Sequence, residues 1–417
     1  MGVDTLRLLD RIVGLPLCWF LTLVRRLGRL ILPTKPLPPP RKVLIIKLSE
    51  MGSTVLAYPA MEDLKKQIPG VELFFLVFKN NAAIVDVLGV MPAAHIITVD
   101  YGSPFRLLAS GLHAMKRLLN EHIDTTIDMD FFSRLTALIA FLLCRGNRVG
   151  FHSYNDEGLY RGNLLTHRVT YSPHIHTSVA FMTLVKSLFE SPDDEPHYRG
   201  RIDPAALTIP LYHPDRNEVS SIWNKLIAAG LQQNRNTAII LINPNSSDIF
   251  PLRKWPLEFF TQLCQRLLTE VPHGCLVITG VASEHKDAQF IRDRVQDPRC
   301  IDFTGQTTFR ELLALYGIAS LMITNDSGPA HFAALLSLPT IVLFGPETPR
   351  LYSPMGARHK AMYADFACSP CVSVYNSKKS PCTDNRCLQA ISPENVLHEA
   401  LTMLHSVTNE NKAIGSA

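Results

Sequence analysis

From Val43 onward, short apolar runs alternate with stretches of helical period, and this alternation constrains the fold more than any other feature of the chain. "VLIIKL" (43–48), "ELFFLVF" (72–78), "HIITV" (95–99), "TTIDM" (125–129) and "RVGF" (148–151) read as strands. Helical periods fall at 55–67, 105–120 and 132–144, and a further helix at 176–190 closes this half. Residues 191–217 are proline-rich and irregular. The alternation then restarts, with strands at 238–243, 275–280, 300–305, 321–325 and 340–345. Helices are predicted at about 218–229, 256–270, 284–295, 309–317 and 327–337. Strand and helix in strict succession build a parallel sheet covered on both faces. The expectation is therefore α/β: two doubly wound domains over 41–200 and 201–398, with a C-terminal tail over 399–417. Ligands of such sheets sit outside the carboxyl ends of the strands, so two facing domains would hold them in a central cleft.

A chain of 417 residues, 47 % hydrophobic, is long and apolar enough for two cores. Its net charge of +4 is mild, and no block of like charges appears. This speaks against a nucleic-acid or other polyphosphate-coating partner. The N-terminus is unusual. "IVGLPLCWFLTLV" (12–24) is apolar, with Arg7 and Arg11 before it and Arg25, Arg26 and Arg29 after it. It is shorter than the roughly 20 residues a spanning helix needs, and it contains Pro16. A helix lying in the cytoplasmic leaflet, arginines on anionic head groups, fits this pattern. A helix packed on the protein's own core fits it too. "PTKPLPPP" (33–40) reads as a stiff linker, so 1–40 is set apart as a membrane-associated segment. No cleavage site follows the apolar run, so a reduced setting is expected and disulfides are not.

Two stretches carry chemistry. In "LMITNDSGPAHFAALLSLPTIVLFGPETP" (321–349) a strand ends at Asn325, and Asp326 or Ser327 can cap the next helix. Gly328 leaves the backbone open, and Pro329 suits the first turn. Free N–H groups and the positive dipole end would cradle a diphosphate, with His331 in reach of it or of a sugar beyond. In "LIIKLSEMGSTVLAYPAMEDL" (44–64) a strand enters a loop around Gly52 and then a helix, the layout of a ligand-binding turn.

"NDSGPAHFAALLSLPTIVLFGPETP" resembles the signature of the ADP-heptose:lipopolysaccharide heptosyltransferases, glycosyltransferase family nine. "KVLIIKLSEMGSTVLAYPAM", "NPNSSDIFPLRKWPLEFFTQL" and "ITGVASEHKDA" resemble other family stretches, in order, so the likeness covers about 42–398. It implies a GT-B fold, two Rossmann-like domains with the donor in the C-terminal one and the acceptor in the N-terminal one. It also implies inverting, metal-independent transfer from a nucleotide diphosphate sugar, by default ADP-heptose, needing no cofactor. The acceptor would be a lipid-linked glycan such as a lipopolysaccharide core, at the cytoplasmic face of the inner membrane. Asp326, Ser327, Gly328, His331 and Lys254 would hold the donor diphosphate and sugar, and Arg253 neighbours Lys254. Preorganised positive charge on the departing group suits such a transfer. Glu284 matches a position that contacts the ribose, and it is also a good helix-start residue.

The chain departs from the family at two places. Asn245 follows Pro244 where a glycine is usual, and Asn tolerates left-handed backbone. Ser53 stands where the family has the aspartate that acts as base, and a hydroxyl is a poor base. Glu50 can take over, or Asp128 or Asp130 can reach in. Otherwise the protein binds a nucleotide sugar as a scaffold without turnover, or the reaction needs no strong base. A nucleotide-sugar epimerase is a further rival, but it would need no membrane segment. "DMD" (128–130) reads as a strand-end pair rather than a metal site. Cys368, Cys371, Cys382 and Cys387 lie close enough in sequence for a structural zinc, though reduced thiols are the favoured reading. His174 and His176 open the helix near the domain boundary.

Overall fold

The structure, a computed structural model, describes residues 3–31, 36–152, 159–192, 198–232, 237–246, 250–376 and 378–415. Residues 33–35 of the expected linker, 193–197 of the expected boundary, 247–249 of the second-domain loop and 416–417 of the expected tail lie outside the described residues. The chain divides into two units, Met1–Thr208 with Val374–Ser377, and Ile209–Ser373 with Lys378–Ala417.

Unit 1 runs α1 (Val3–Leu9), a π turn (Asp10–Gly14), α2 (Leu15–Ile31), β1 (Lys42–Ile46), α3 (Met51–Gln67), β2 (Glu72–Phe78), α4 (Ala82–Leu88) and β3 (Ile96–Val99). It continues through α5 (Pro104–Asn120), β4 (Thr125–Asp128), α6 (Arg134–Leu143), β5 (Asn147–His152), β6 (His167–Thr170) and α7 (Thr177–Ser187). All its strands pair in parallel, in the order β3-β2-β1-β4-β5-β6. One sheet face buries Leu44, Ile46, Phe74 and Leu76 beneath Ala114 and Leu118 of α5 and Ala140 and Leu143 of α6. Each large apolar side chain so enclosed contributes about 1.5–3 kcal/mol. Caps set the helix starts: Ser103 Oγ accepts from Arg106 N at 3.2 Å with Pro104 in the first turn of α5, and Ser133 Oγ does the same for Thr136 N in α6.

Unit 2 runs α8 (Arg216–Ala228), β7 (Ala238–Asn243), α9 (Leu257–Glu270), β8 (Gly274–Ile278), α10 (His285–Val295), β9 (Cys300–Asp302) and α11 (Phe309–Ile318). It ends with β10 (Leu321–Asn325), α12 (Gly328–Ala334), β11 (Thr340–Phe344), α13 (Pro349–Tyr352), β12 (His359–Tyr363), α14 (Arg386–Gln389) and α15 (Pro393–Gly415). Its parallel order is β12-β11-β10-β7-β8-β9. Counted within each unit, both sheets follow one doubly wound plan in which the direction of winding reverses between the first and fourth strands: β1 beside β4, and β7 beside β10. Such a reversal opens a crevice at the carboxyl ends of the two strands.

Each sheet holds a sixth strand that the sequence reading lacks. β6 is four residues long with alternate residues uncovered, and no residue of β12 is buried. Both are edge strands carrying charge (Arg168, Lys360), as edges should, and so they show no continuous apolar run. Residues 399–415, expected as a tail, continue α15, and Ala400 and Leu404 lie in the unit 2 core.

The N-terminal helices present two faces. Gly14, Cys18 and Thr22, four residues apart, are buried. Cys18 packs with Ala137 and Leu138 of α6 and with Leu164. Asp10 accepts from the backbone N of Arg134 at 2.9 Å and of Leu135 at 2.8 Å, capping α6 from outside. Thr22 Oγ1 accepts from Asn163 N at 2.8 Å. The segment therefore packs on its own unit. Its other face leaves Leu15, Trp19, Phe20, Leu23 and Leu27 exposed. Among the described residues no helix is long and apolar enough to cross a membrane.

Candidate functional site

In unit 1 the crevice between β1 and β4 is lined by the residues that follow those strands. The turn differs from its expected shape. α3 already begins at Met51, so Gly52 is a buried helical residue, and the left-handed residue is Glu50, with φ 67°. A carboxylate-bearing residue thus takes a backbone conformation that ordinarily favours glycine. Ser53 sits one helical turn on. Its Oγ lies 3.0 Å from Glu50 O and 3.2 Å from Glu50 Oε2, so the hydroxyl donates to the residue whose carboxylate it approaches. Thr54 N also donates to Glu50 O, at 3.2 Å.

The two aspartates after β4 are held elsewhere. Asp128 is wholly buried against the equally buried Arg161, whose guanidinium also donates to Phe151 O at 2.8 Å. Burial pushes the Asp128 carboxyl up to about 6, against the pull of Arg161. Asp130 accepts from Leu48 N at 2.9 Å and pairs with Lys47 Nζ at 3.5 Å. Burial raises its carboxyl too. Asp130 fastens the end of β4 to the segment after β1, and Asp128 fastens it to Arg161 in the stretch after β5. Of the carboxylates considered at this edge, Glu50 is the one that is half-buried rather than buried. His176 opens α7 with Nδ1 accepting from Ser178 N at 3.3 Å, a capping role.

In unit 2 the crevice lies between β7 and β10. Asn325, the last residue of β10, is buried and bonds in two directions. Its Oδ1 accepts from Trp255 N at 3.0 Å, and its Nδ2 donates to Pro244 O at 2.9 Å. One side chain therefore ties both described ends of the loop after β7 to β10. Trp255 is fully buried and donates from Nε1 to Ile391 O at 2.9 Å, so the loop's C-terminal end is anchored on both sides. Asn245 is not left-handed. It instead donates from Nδ2 to Thr279 O at 3.0 Å, and this amide lies 2.5 Å from where a Cβ on Gly280 would stand. Glycine at 280 is thus required by close approach.

The anchored loop delivers Arg253 and Lys254. Arg253 Nη2 lies 2.8 Å from Glu347 Oε1, and Arg253 Nε lies 3.6 Å from Asp326 Oδ2, an ion pair beyond hydrogen-bond length. Glu347 follows β11 and is completely buried. Burial pushes its carboxyl up to about 7, opposed by the positive charges of Lys378 and Arg253. Lys254 pairs with Asp287 of α10. Glu284 Oε2 accepts from Val281 N at 2.8 Å, so its carboxylate closes the turn that starts α10. Ser327 precedes α12 as its N-cap residue, yet its side chain makes no capping hydrogen bond. Ser327 Oγ donates to Asn325 O at 3.2 Å instead. Pro329 falls in the first turn, as expected, and His331 is buried. The structure thus brings Lys254, Asp326, Ser327, Gly328 and His331 to one edge of this sheet, and adds Asn325, Asp287 and Glu347. Glu347 had a visible sequence signal, a carboxylate between Pro346 and the Thr348-Pro349 pair directly after a strand.

None of the nine cysteines forms a disulfide. Cys371 N donates to Pro346 O at 3.0 Å, and Ser380 Oγ lies 3.3 Å from Cys371 Sγ, so the cysteine-bearing segment braces the loop that carries Glu347. Among the described residues no three His, Cys, Asp or Glu side chains are grouped as a metal site requires.

The chain is similar to a lipooligosaccharide heptosyltransferase 2 of Campylobacter jejuni, 27 % identical over 169 residues, or 40 % of this chain and 51 % of that protein. The chain spans about half the length of that relative. A lipooligosaccharide heptosyltransferase 2 of Haemophilus ducreyi is 24 % identical over 320 residues, 75 % of this chain and 86 % of that one. The fold matches the solved structure of an E. coli ADP-heptose lipopolysaccharide heptosyltransferase II with a TM-score of 0.65, covering 88 % of this chain and 99 % of that one at 18 % identity. The model of glycosyltransferase family 9 (heptosyltransferase) matches residues 112–380, well over half of the 417, and the chain belongs to that family.

Proposed function

We propose that the protein transfers heptose from ADP-heptose to a lipid-linked glycan such as a lipopolysaccharide core, by an inverting, metal-independent displacement. The observation that carries this reading is the pair Arg253 and Lys254, held by Asn325 at the carboxyl edge of β7 and β10. Unit 2 would take the donor and unit 1 the acceptor. Sugar, carrier and acceptor class come from what the relatives are named for.

In this reading the acceptor hydroxyl oxygen attacks the anomeric carbon from the face opposite the diphosphate. The carbon–oxygen bond to the diphosphate breaks, and its electron pair leaves with ADP. Lys254 and Arg253 stabilise the charge that develops there, the kind of preorganised electrostatics that dominates such catalysis. Asp326 and Glu347 keep the guanidinium of Arg253 in place. Glu50 accepts the proton from the acceptor hydroxyl, with Ser53 bonded to it. The acceptor is lipid-borne, so the enzyme works at the cytoplasmic face of the inner membrane as a peripheral protein. The exposed apolar face of α2 supports that placement.

Calorimetric titration with ADP-, UDP- and GDP-sugars tests the donor half. Binding of the ADP-sugar, lost in Lys254→Ala and Asp326→Ala, is the expected result, and no binding by any of the three would sink the reading. Ser53, in place of an aspartate, favours a second reading, a nucleotide-sugar-binding scaffold without turnover. Donor binding with no product from any lipid-linked acceptor would select it.

A further inference from the structure

α5 and α6 lie side by side over one face of the unit 1 sheet, and α2 packs against the far side of α6. α6 is in the middle. Ala137 and Leu138 on one flank pack with Cys18 of α2, and Ile139 on the other packs into the cluster that Ala114 and Leu118 of α5 complete. At about 100° per residue, Leu135 and Leu142 fall opposite the core-facing Ala140, and both are exposed. α5 and α6 each follow a strand of one parallel sheet on the same face, so they run parallel. The same rotation puts Leu108, Leu112 and Phe105 of α5 on its outward flank nearest α6.

Those three residues form a helical row and are 63 %, 63 % and 80 % exposed. Single exposed leucines are ordinary, but a row continuous with the exposed faces of α6 and α2 is not. The row contributes nothing to the core of its own unit, which α5 serves with Ala114 and Leu118. α5 carries Lys116 beside this row and no carboxylate in its 17 residues, while Arg106 and Arg117 fall on its far side, where Arg117 donates to Ala94 O. Arg7, Arg11 and Arg26 lie along the N-terminal helices, where Asp10 is occupied at the start of α6. An apolar row with basic flanks is the chemistry of a helix lying in an anionic lipid surface. A symmetric contact with a second copy would instead set these cations against their own kind.

We propose that α5 and α6 extend the lipid-docking face of α2, so that unit 1 rests on an anionic bilayer through three helices. The inference rests on the membrane-borne acceptor proposed above. Flotation of the full chain with phosphatidylcholine vesicles, with and without phosphatidylglycerol, tests both. The expected result is binding that needs phosphatidylglycerol and falls about tenfold or more in Phe105→Asp/Leu108→Asp/Leu112→Asp. An α2 variant, Trp19→Asp/Phe20→Asp, runs alongside. Loss in the α2 variant alone overturns the role of α5 and leaves the membrane reading standing. No flotation of the wild type overturns both. Because a triple substitution can unsettle folding, Phe105→Trp in a Trp19→Phe chain gives a second readout. Its fluorescence should be quenched by brominated lipid, and absence of quenching counts against α5. A wild type that is dimeric without vesicles, and monomeric in the triple variant, overturns the proposal in favour of self-association.

Discussion

Arg253 and Glu347 form a 2.8 Å ion pair whose carboxylate is sealed from solvent, while the guanidinium also faces Asp326. One cation thus stands between two acids at the edge where the diphosphate is proposed to bind. Of the two, Glu347 is the acid that burial has pushed up to about 7.

That shift makes unit 2 sensitive to pH. Glu347 takes a proton more readily folded than unfolded, where its value is near the usual 4.5. Between those values the native state binds more protons, so stability falls as pH rises. The contribution is fullest below about 4.5 and is lost by the time pH has climbed through about 7. Urea unfolding of wild type and Glu347→Gln across this window should show a difference that changes by up to about 3 kcal/mol. A flat difference would contradict the burial argument.

Lys254 is paired with Asp287, and a donor diphosphate would compete for it. Losing one charge-assisted contact costs about 1.5–3 kcal/mol, or about 10- to 100-fold in donor affinity for Lys254→Ala. Asp287→Asn should leave donor affinity equal or tighter, since it removes the competitor. Titration with ADP-sugar measures both, and a weaker Asp287→Asn would mean that the aspartate positions Lys254.

Glu50 should separate stability from turnover. Glu50→Gln is expected to lower kcat by about 10²- to 10⁴-fold with donor affinity unchanged. Glu50→Gly relieves a left-handed φ of 67° and should stabilise the fold by up to about 1 kcal/mol while turnover is lost. Thermal unfolding and single-turnover rates on the same samples decide it. Full activity in Glu50→Gln would return the base to the set containing Asp128 and Asp130.

The Asp128–Arg161 pair is structural, and substitution should show it. Arg161→Met leaves a buried carboxyl without its partner and should cost about 3–5 kcal/mol near neutral pH. The loss should shrink in acid, where Asp128, already raised to about 6, becomes neutral. Arg161→Met/Asp128→Leu should recover most of it in urea titrations. A pH-independent loss would mean packing, not charge, dominates.

The winding of both units was legible because strands buried on two faces, such as "VLIIKL" and "TIVLFG", cannot be mistaken for solvated segments. The edge strands β6 and β12 escaped, since half-covered strands with charges leave only short, broken patterns. Asp326 and Lys254 stand out in the sequence as candidates because each sits in a local motif. Asp128 with Arg161, 33 residues apart, and Arg253 with Glu347, 94 apart, depend on loops meeting only after the sheets form. The sequence points to Glu50 as a base but not to its left-handed backbone, because the glycine two residues on is the natural candidate for the turn. Asn245 suggests backbone tolerance in the sequence, whereas its side-chain amide is what the fold uses.

Asn325 has a consequence for how function is mapped in this protein. The strap that bears Arg253 and Lys254 hangs from its amide at two points, Pro244 and Trp255, and both need a group that donates and accepts at once. Asn325→Asp keeps the shape but cannot donate to Pro244 O. A survey that scores residues only by lost activity would rank Asn325 among those that handle the donor. A survey that also follows the order of the strap would show it to be a suspension point, working from behind the chemistry.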